Sequence, residues 1–325
     1  MVHDNRASKP IIPMCDPHFH LWNLKDRPNP NLGAVENHPL PEYVAGDYLA
    51  DVGTLPPSLE LRSSIHVETI VGQSPGGIPL DTVGETDWVC GQMAPTESEL
   101  PFYIVAFVHL ASPQEDCERV LDSHLASSGG RLRGIRMILN HHDHNPDLTW
   151  PQVAHSRFFQ DQAFRDGIAM LDERRLTFDL SCNPHQVADA VALLEKYPDL
   201  SVVVNHLGFL HEGEDQAHEA LWRRGINALA SLPNVYIKLS MLWFACCGYH
   251  LDTIKEHHVK ERVLEVIEIM GAERCMFASN YPVDRFNGIS LSDLYRMYLS
   301  WTEVLSEGDR KALFHDTAAN AYRIG

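Results

Sequence analysis

Strand-like apolar runs recur along this chain with helical patterns between them, and that alternation restricts its fold more than any other feature. After a first strand at Cys15–Trp22, the runs are 61–70, Phe102–Leu110, Leu132–Leu139, Leu176–Cys182, Ser201–His206, Asn234–Ser240 and Arg274–Asn280. Phe102–Leu110 is apolar almost throughout, as a parallel strand buried on both faces would be. Helices follow the later strands: Val187, Val191 and Leu194 mark one helical face, and Val259, Val263, Ile267 and Met270 another. Asn183-Pro184 reads as an N-cap with proline in the first turn. Ser290-x-x-Asp293 and Ser306-x-x-Asp309 resemble the capping boxes of two closing helices. Eight strands in this alternation predict an α/β fold, a closed (β/α)8 TIM barrel. An open doubly wound sheet would carry a glycine-rich phosphate turn after its first strand, where this chain has Phe19-His20-Leu21-Trp22.

The 325 residues suit a single barrel domain over 1–325 with a long insertion after the first strand. Residues 23–60 hold six prolines but also Leu, Val and Tyr, so the insertion is expected to be ordered, and Gly72–Pro79 reads as a turn-rich loop. With 26 Lys and Arg against 44 Asp and Glu, the formal charge is −18. That excludes a nucleic acid or an anionic membrane as partner, because both demand a basic footprint. It leaves room for a small-molecule substrate and for a homo-oligomer. Met1–Pro10 carries no apolar leader core and no apolar run spans a bilayer, which predicts a cytoplasmic protein. Seven cysteines without zinc-knuckle or Cys-x-x-Cys spacing read as mostly buried free thiols.

Barrel strands open their carboxyl ends on one face, so polar residues distant in sequence meet there. Strand periodicity puts Asp16, His18 and His20 on one face of the first strand, and two imidazoles at i and i+2 can close on one cation, with zinc or a neighbouring metal favoured. Other strand ends carry His66 and Glu68, His109, Arg136 and His141, His185, His206, Lys238 with Ser240, and Asn280. Arg136 suits bidentate contact with a carboxylate, and Lys238 can polarise a carbonyl. The alternative for both cations is a structural ion pair, with Glu68 or Asp179 as partner. His141, His142 and His144 form a solvated loop that can reach over the pocket.

Asp-x-His-x-His-x-Trp at 16–22, His-Val-Glu at 66–68, Gly-Ile-Arg at 134–136, Phe-Asp-Leu at 178–180, Asn-His-Leu-Gly at 205–208, Lys-Leu-Ser at 238–240 and Met-Phe-Ala-Ser-Asn-Tyr-Pro-Val-Asp at 276–284 together resemble the amidohydrolase-2 branch of the amidohydrolase superfamily. The resemblance is nearest to its sugar-lactonase and pyrone-dicarboxylate-lactonase group. It implies a (β/α)8 barrel that hydrolyses small cyclic esters, with or without one divalent cation. Its metal-type positions map onto His18, His20 and His206, with His185 a further position. The family usually ends its eighth strand with an Asp that serves as general base. Here Asn280 stands there, and an amide neither takes a proton at neutral pH nor matches a carboxylate as ligand.

These residues predict a hydrolase of a small carboxylate- or hydroxyl-bearing lactone. Water attacks a carbonyl polarised by a cation on the histidines or by His and Lys side chains. His18, His20, His206, Lys238 and Asp284 are the expected catalytic groups, with Asp284 or His141 replacing the missing base. Arg136, Glu68, His141, Ser240 and Asn280 are expected to bind substrate. The expected cofactor is one divalent metal, zinc foremost, weakly bound or absent. Carbon–carbon hydrolysis or decarboxylation, and a non-catalytic binding protein, are the competing readings.

Overall fold

The computed structural model describes residues 11–29, 31–70, 81–96, 100–150, 153–212 and 216–324; the expected Gly72–Pro79 loop and the Met1–Pro10 stretch lie outside them. In chain order the strands are β1 (Ile12–Phe19), β2 (Trp22–Asn23), β3 (Glu42–Tyr43), β4 (Leu59–Val67), β5 (Phe102–Phe107), β6 (Leu132–Ile138), β7 (Thr177–Ser181), β8 (Val202–Val204), β9 (Val235–Leu239) and β10 (Cys275–Phe277). Short β2 and β3 pair antiparallel within the insertion, which also holds helix α1 (Ala45–Val52). The other eight form one parallel sheet in sequence order. Its two edges meet through a parallel bridge between Phe19 and Tyr281, with Asn280 N–H donating to the His18 carbonyl at 2.8 Å and His20 N–H to the Tyr281 carbonyl at 2.7 Å. The expected (β/α)8 barrel is the observed one.

Helices α2 (Thr82–Met93), α3 (Gln114–Ser127), α4 (Gln162–Glu173), α5 (Val187–Leu194), α6 (Gln216–Ala230), α7 (Thr253–Met270) and α8 (Leu291–Trp301) cover the wall. The closing helices start at the sequence signals: Ser290 accepts from Asp293 N–H, and Ser306 from Asp309 N–H. Caps of this kind contribute about 1 kcal/mol each. Alternation along the strands sorts the side chains. Ile135 and Met137 on β6 and Phe178 and Leu180 on β7 join the outer core, each contributing roughly 2 kcal/mol of burial. A separate inner cluster joins Cys15, Ile65, Val67, Val105, Val203 and Met276 to Ala318, Ala321, Tyr322 and Ile324 of the chain's end. The chain's last turns, after α9 (Glu307–Lys311) and through α10 (Thr317–Ala321), thus plug the barrel from below. Thr177 and Ser201 hold the plug by donating to the Ala321 carbonyl at 3.1 and 2.8 Å.

One face assignment needs correction. A bulge between Asp16 and Phe19 inserts an extra residue against β4, so Asp16 turns away from the face of His18 and His20. Its buried carboxylate accepts from Ser279 N–H at 3.0 Å, Ser279 hydroxyl at 2.7 Å and Tyr48 hydroxyl at 3.0 Å, stitching β1 to β10 and α1. Burial raises its pKa against those bonds. All seven cysteines are free, five of them buried. Among the described residues no helix is long and apolar enough to cross a membrane.

Candidate active site

A cavity of about 210 Å³ opens at the carboxyl ends of the strands, with His20, His38, Arg136, Ser181, His206 and Asn280 on its polar side and Trp22, Trp150, Phe209, Met241 and Phe286 on its apolar side. Two further hollows among the described residues, one of about 270 Å³ beside the insertion and one near the start of β1, are lined by no histidine. Three strand ends bring a non-glycine residue into the cavity in left-handed backbone: His206 after β8 (φ 54°), Met241 after β9 (φ 52°) and Asn280 after β10 (φ 53°). That conformation costs an L-residue roughly 1–2 kcal/mol. After β8 the surroundings impose it: Trp222 of α6 donates to the Leu207 carbonyl at 2.8 Å, and a Cβ on Gly208 (φ 65°) would lie 2.9 Å from Ile226. His206 is therefore held on a fixed turn.

Hydrogen bonding assigns the tautomers of His20 and His18. His20 Nδ1 lies 2.8 Å from the Val67 carbonyl, which can only accept, so the His20 lone pair is on Nε2. Lys238 Nζ reaches Asp179 Oδ2 at 2.6 Å and His18 Nδ1 at 3.2 Å. An ammonium only donates, so His18 carries its hydrogen on Nε2, 3.2 Å from His20 Nε2, and donates it there. His206 Nδ1 meets the Ser240 hydroxyl at 3.0 Å, and its ring stands 4.6 Å from that of His18. All three imidazoles are held well below their usual range, by burial first and then by neighbouring cations, Lys238 for His18 and Arg136 for His20 and His206. They are neutral at pH 7. Burial also lowers Lys238, against the pull of Asp179.

Both cations are paired. Arg136 Nε donates to Glu68 Oε1 at 2.5 Å and Nη2 to the Glu68 carbonyl at 2.6 Å, while Nη1 lies 3.4 Å from His18 Nε2. The structure thus realises the ion pairs Arg136–Glu68 and Lys238–Asp179, and only Arg136 among these four lines the cavity.

The expected residues fall into three groups. His20, His206, Arg136 and Asn280 line the cavity. His18, Lys238, Glu68 and Ser240 lie beneath them and act on ligand through the residues they touch. Lys238 is therefore not the carbonyl polariser the sequence suggested, since its ammonium faces Asp179 and His18. Third, His141 and His185 belong to a separate loop cluster: His185 Nε2 donates to the His141 carbonyl at 2.9 Å and its ring packs on His142, while His141 Nδ1 lies 3.3 Å from Asp143. Neither lines the cavity, because the loop after β6 folds outward over the start of α5. Tyr322 was missed, although it donates to Asp179 at 2.8 Å beside Asn205 of the Asn-His-Leu-Gly motif, which donates at 3.0 Å. Its signal is burial inside the barrel, which periodicity does not show.

Asp284 also stands behind the lining. Asn280 Nδ2 donates to its Oδ2 at 2.6 Å. Burial pushes its pKa up to about 8 despite the hydrogen bond from Asn280. Unfolded, the same carboxyl titrates near 3.8. Between those values the folded state keeps a proton that the unfolded state has released, so stability falls as pH rises through the window and the loss is complete above about pH 8. Asp284→Asn removes this dependence. Its melting temperature relative to wild type is expected to rise from about pH 4 to about pH 8 and to level off above that, and parallel pH profiles from calorimetry would contradict the buried-acid assignment.

Among the described residues no group of three or more His, Cys, Asp or Glu side chains closes around a point that could hold a metal ion. The donors present do not fit a divalent cation. His18 Nε2 carries a hydrogen, the Arg136 guanidinium stands against it, and Asn280 supplies no charge.

The Amidohydrolase family model matches residues 76–324. The chain is 30% identical over 323 residues to the uncharacterized protein y4mH of Sinorhizobium fredii, spanning 96% of this chain and 99% of that one. It is 27% identical over 316 residues to L-fucono-1,5-lactonase of Burkholderia multivorans, spanning 95% of each. The crystal structure of an amidohydrolase from Burkholderia multivorans with bound zinc superposes with a TM-score of 0.76 at 25% identity, over 96% of this chain and 99% of that one. Amidohydrolase-superfamily enzymes are generally metal-dependent. A barrel whose histidines, arginine and amide converge at one mouth, matched along its length by these relatives, belongs to the amidohydrolase family and is a hydrolase.

Proposed function

We propose that the enzyme opens small, neutral, hydroxylated lactones by water attack on the ring carbonyl. The charge balance at the cavity carries the choice of substrate. Each buried cation is paired with a buried carboxylate and the three imidazoles are neutral, so no surplus positive charge remains for a substrate carboxylate. The similarity to L-fucono-1,5-lactonase supports the same class. The cavity's size and aromatic side suit a single small ring with hydroxyl substituents.

In this reading His206 Nε2 takes a proton from water as the oxygen attacks the carbonyl carbon. The Arg136 guanidinium faces the developing oxyanion. Collapse of the tetrahedral adduct breaks the ring acyl–oxygen bond, and His206 returns the proton to the leaving ring oxygen, giving a hydroxy acid for one water consumed. Ser240 orients the base, and the Asn280 amide accepts from and donates to the ring hydroxyls. No step runs through a metal, and the purified protein is expected to carry little zinc.

The test is acid release from a panel of lactones. Neutral hydroxylated lactones are expected to exceed carboxylated ones in kcat/KM by about a hundredfold or more. Because the base is already neutral, the acid limb of the kcat/KM profile should lie below pH 6.5. A preference for carboxylated lactones, or no turnover of any lactone, would overturn the proposal.

A further inference from the structure

We propose that Tyr322, on the plug that closes the far end of the barrel, is a positioning residue for hydrolysis, acting through Asp179 and Lys238 on His18. This rests on the lactonase reading for its kinetic consequence only. The chain of contacts is continuous and wholly buried. The Tyr322 hydroxyl donates to Asp179, 2.8 Å from Oδ1 and 3.0 Å from Oδ2. Asp179 Oδ2 also accepts from Asn205 Nδ2 and from Lys238 Nζ, and Lys238 donates onward to His18 Nδ1. The Tyr322 ring itself lies 5.3 Å beneath the Lys238 ammonium. Burial and Asp179 hold the phenol well above its usual pKa, so it stays a donor.

His18 is where this chain meets the cavity-lining groups, since its ring or nitrogens touch His20, His206 and Arg136. While Lys238 donates to Nδ1, the hydrogen of neutral His18 must sit on Nε2, which then donates to His20. If Lys238 is drawn down towards an Asp179 oxygen that has lost its donor, Nδ1 can take the hydrogen and Nε2 becomes an acceptor. Arg136 Nη1, 3.4 Å away, would then turn to it and leave the carbonyl. The distant plug thus governs which face Arg136 presents to substrate.

Tyr322→Phe keeps the ring and removes only the hydroxyl. With a lactone that the wild type turns over, kcat is expected to fall about tenfold to a hundredfold with KM changed by less than about twofold, because Tyr322 does not line the cavity. Nitrogen-15 NMR of the histidine rings needs no substrate. It should show the wild-type His18 hydrogen on Nε2 and its partial transfer to Nδ1 in the variant. Should Tyr322→Phe fail to fold, Ser201→Ala, which removes one anchor of the Ala321 carbonyl and leaves the hydroxyl, is expected to shift both readouts in the same direction by less. A folded Tyr322→Phe, or a Ser201→Ala standing in for it, with wild-type kcat and an unmoved His18 tautomer would overturn the proposal. If no lactone is turned over, the function fails, and the tautomer shift alone decides the positioning role.

Discussion

His206→Asn is expected to lower kcat by about a hundredfold to ten-thousandfold, the range for removing a general base, with KM little changed. Asparagine tolerates the left-handed backbone that His206 occupies at φ 54°, so the turn after β8 should survive. Its Nδ2 can meet the Ser240 hydroxyl in place of the imidazole, but it has no basic nitrogen. Steady-state rates with a neutral hydroxylated lactone, together with an unchanged melting temperature, would confirm a chemical role. A variant that keeps more than a tenth of wild-type kcat would place the base elsewhere, with His20 and His38 the other imidazoles on the cavity wall.

The largest effect on stability is expected from Arg136→Met. Glu68 is fully buried and loses two short hydrogen bonds from the guanidinium. Breaking such a pair costs about 3–5 kcal/mol, or roughly 10 °C in melting temperature for a chain of this size. The double variant Arg136→Met/Glu68→Gln should recover more than half of that, because no buried charge then lacks its partner. Both variants should lose turnover, since neither faces the oxyanion. An unchanged melting temperature in Arg136→Met would show that the pair contributes nothing to the fold.

Much of the architecture was legible from residue pattern because each barrel strand is a short apolar run with a capped helix behind it. Ser290 and Ser306 marked helix starts that the structure confirms, and Val259, Val263, Ile267 and Met270 are buried together on α7. The convergence of His18, His20, His206, Arg136 and Asn280 followed from their places at strand ends. What strand periodicity could not show is depth. A bulge after Asp16 reversed that side chain, and the same residue types divided into those that line the cavity and those that support them. His141 stands in the loop expected from its sequence and His185 in the helical turn before α5, both outside the cavity lining, because how far a loop reaches over a pocket depends on long-range packing that its own sequence does not encode. Tyr322 was invisible for a related reason: a helix of five residues at the chain's end gives no hint that it enters a barrel.

The proposed hydrolysis uses His206 and Arg136 and no bound cation. It is tested by the rate of acid release from a neutral hydroxylated lactone as a function of zinc content, determined on the same samples from chelator-treated to zinc-supplemented protein. A rate independent of zinc content is expected. A rate that vanishes on chelation and returns in proportion to zinc would overturn the proposed chemistry.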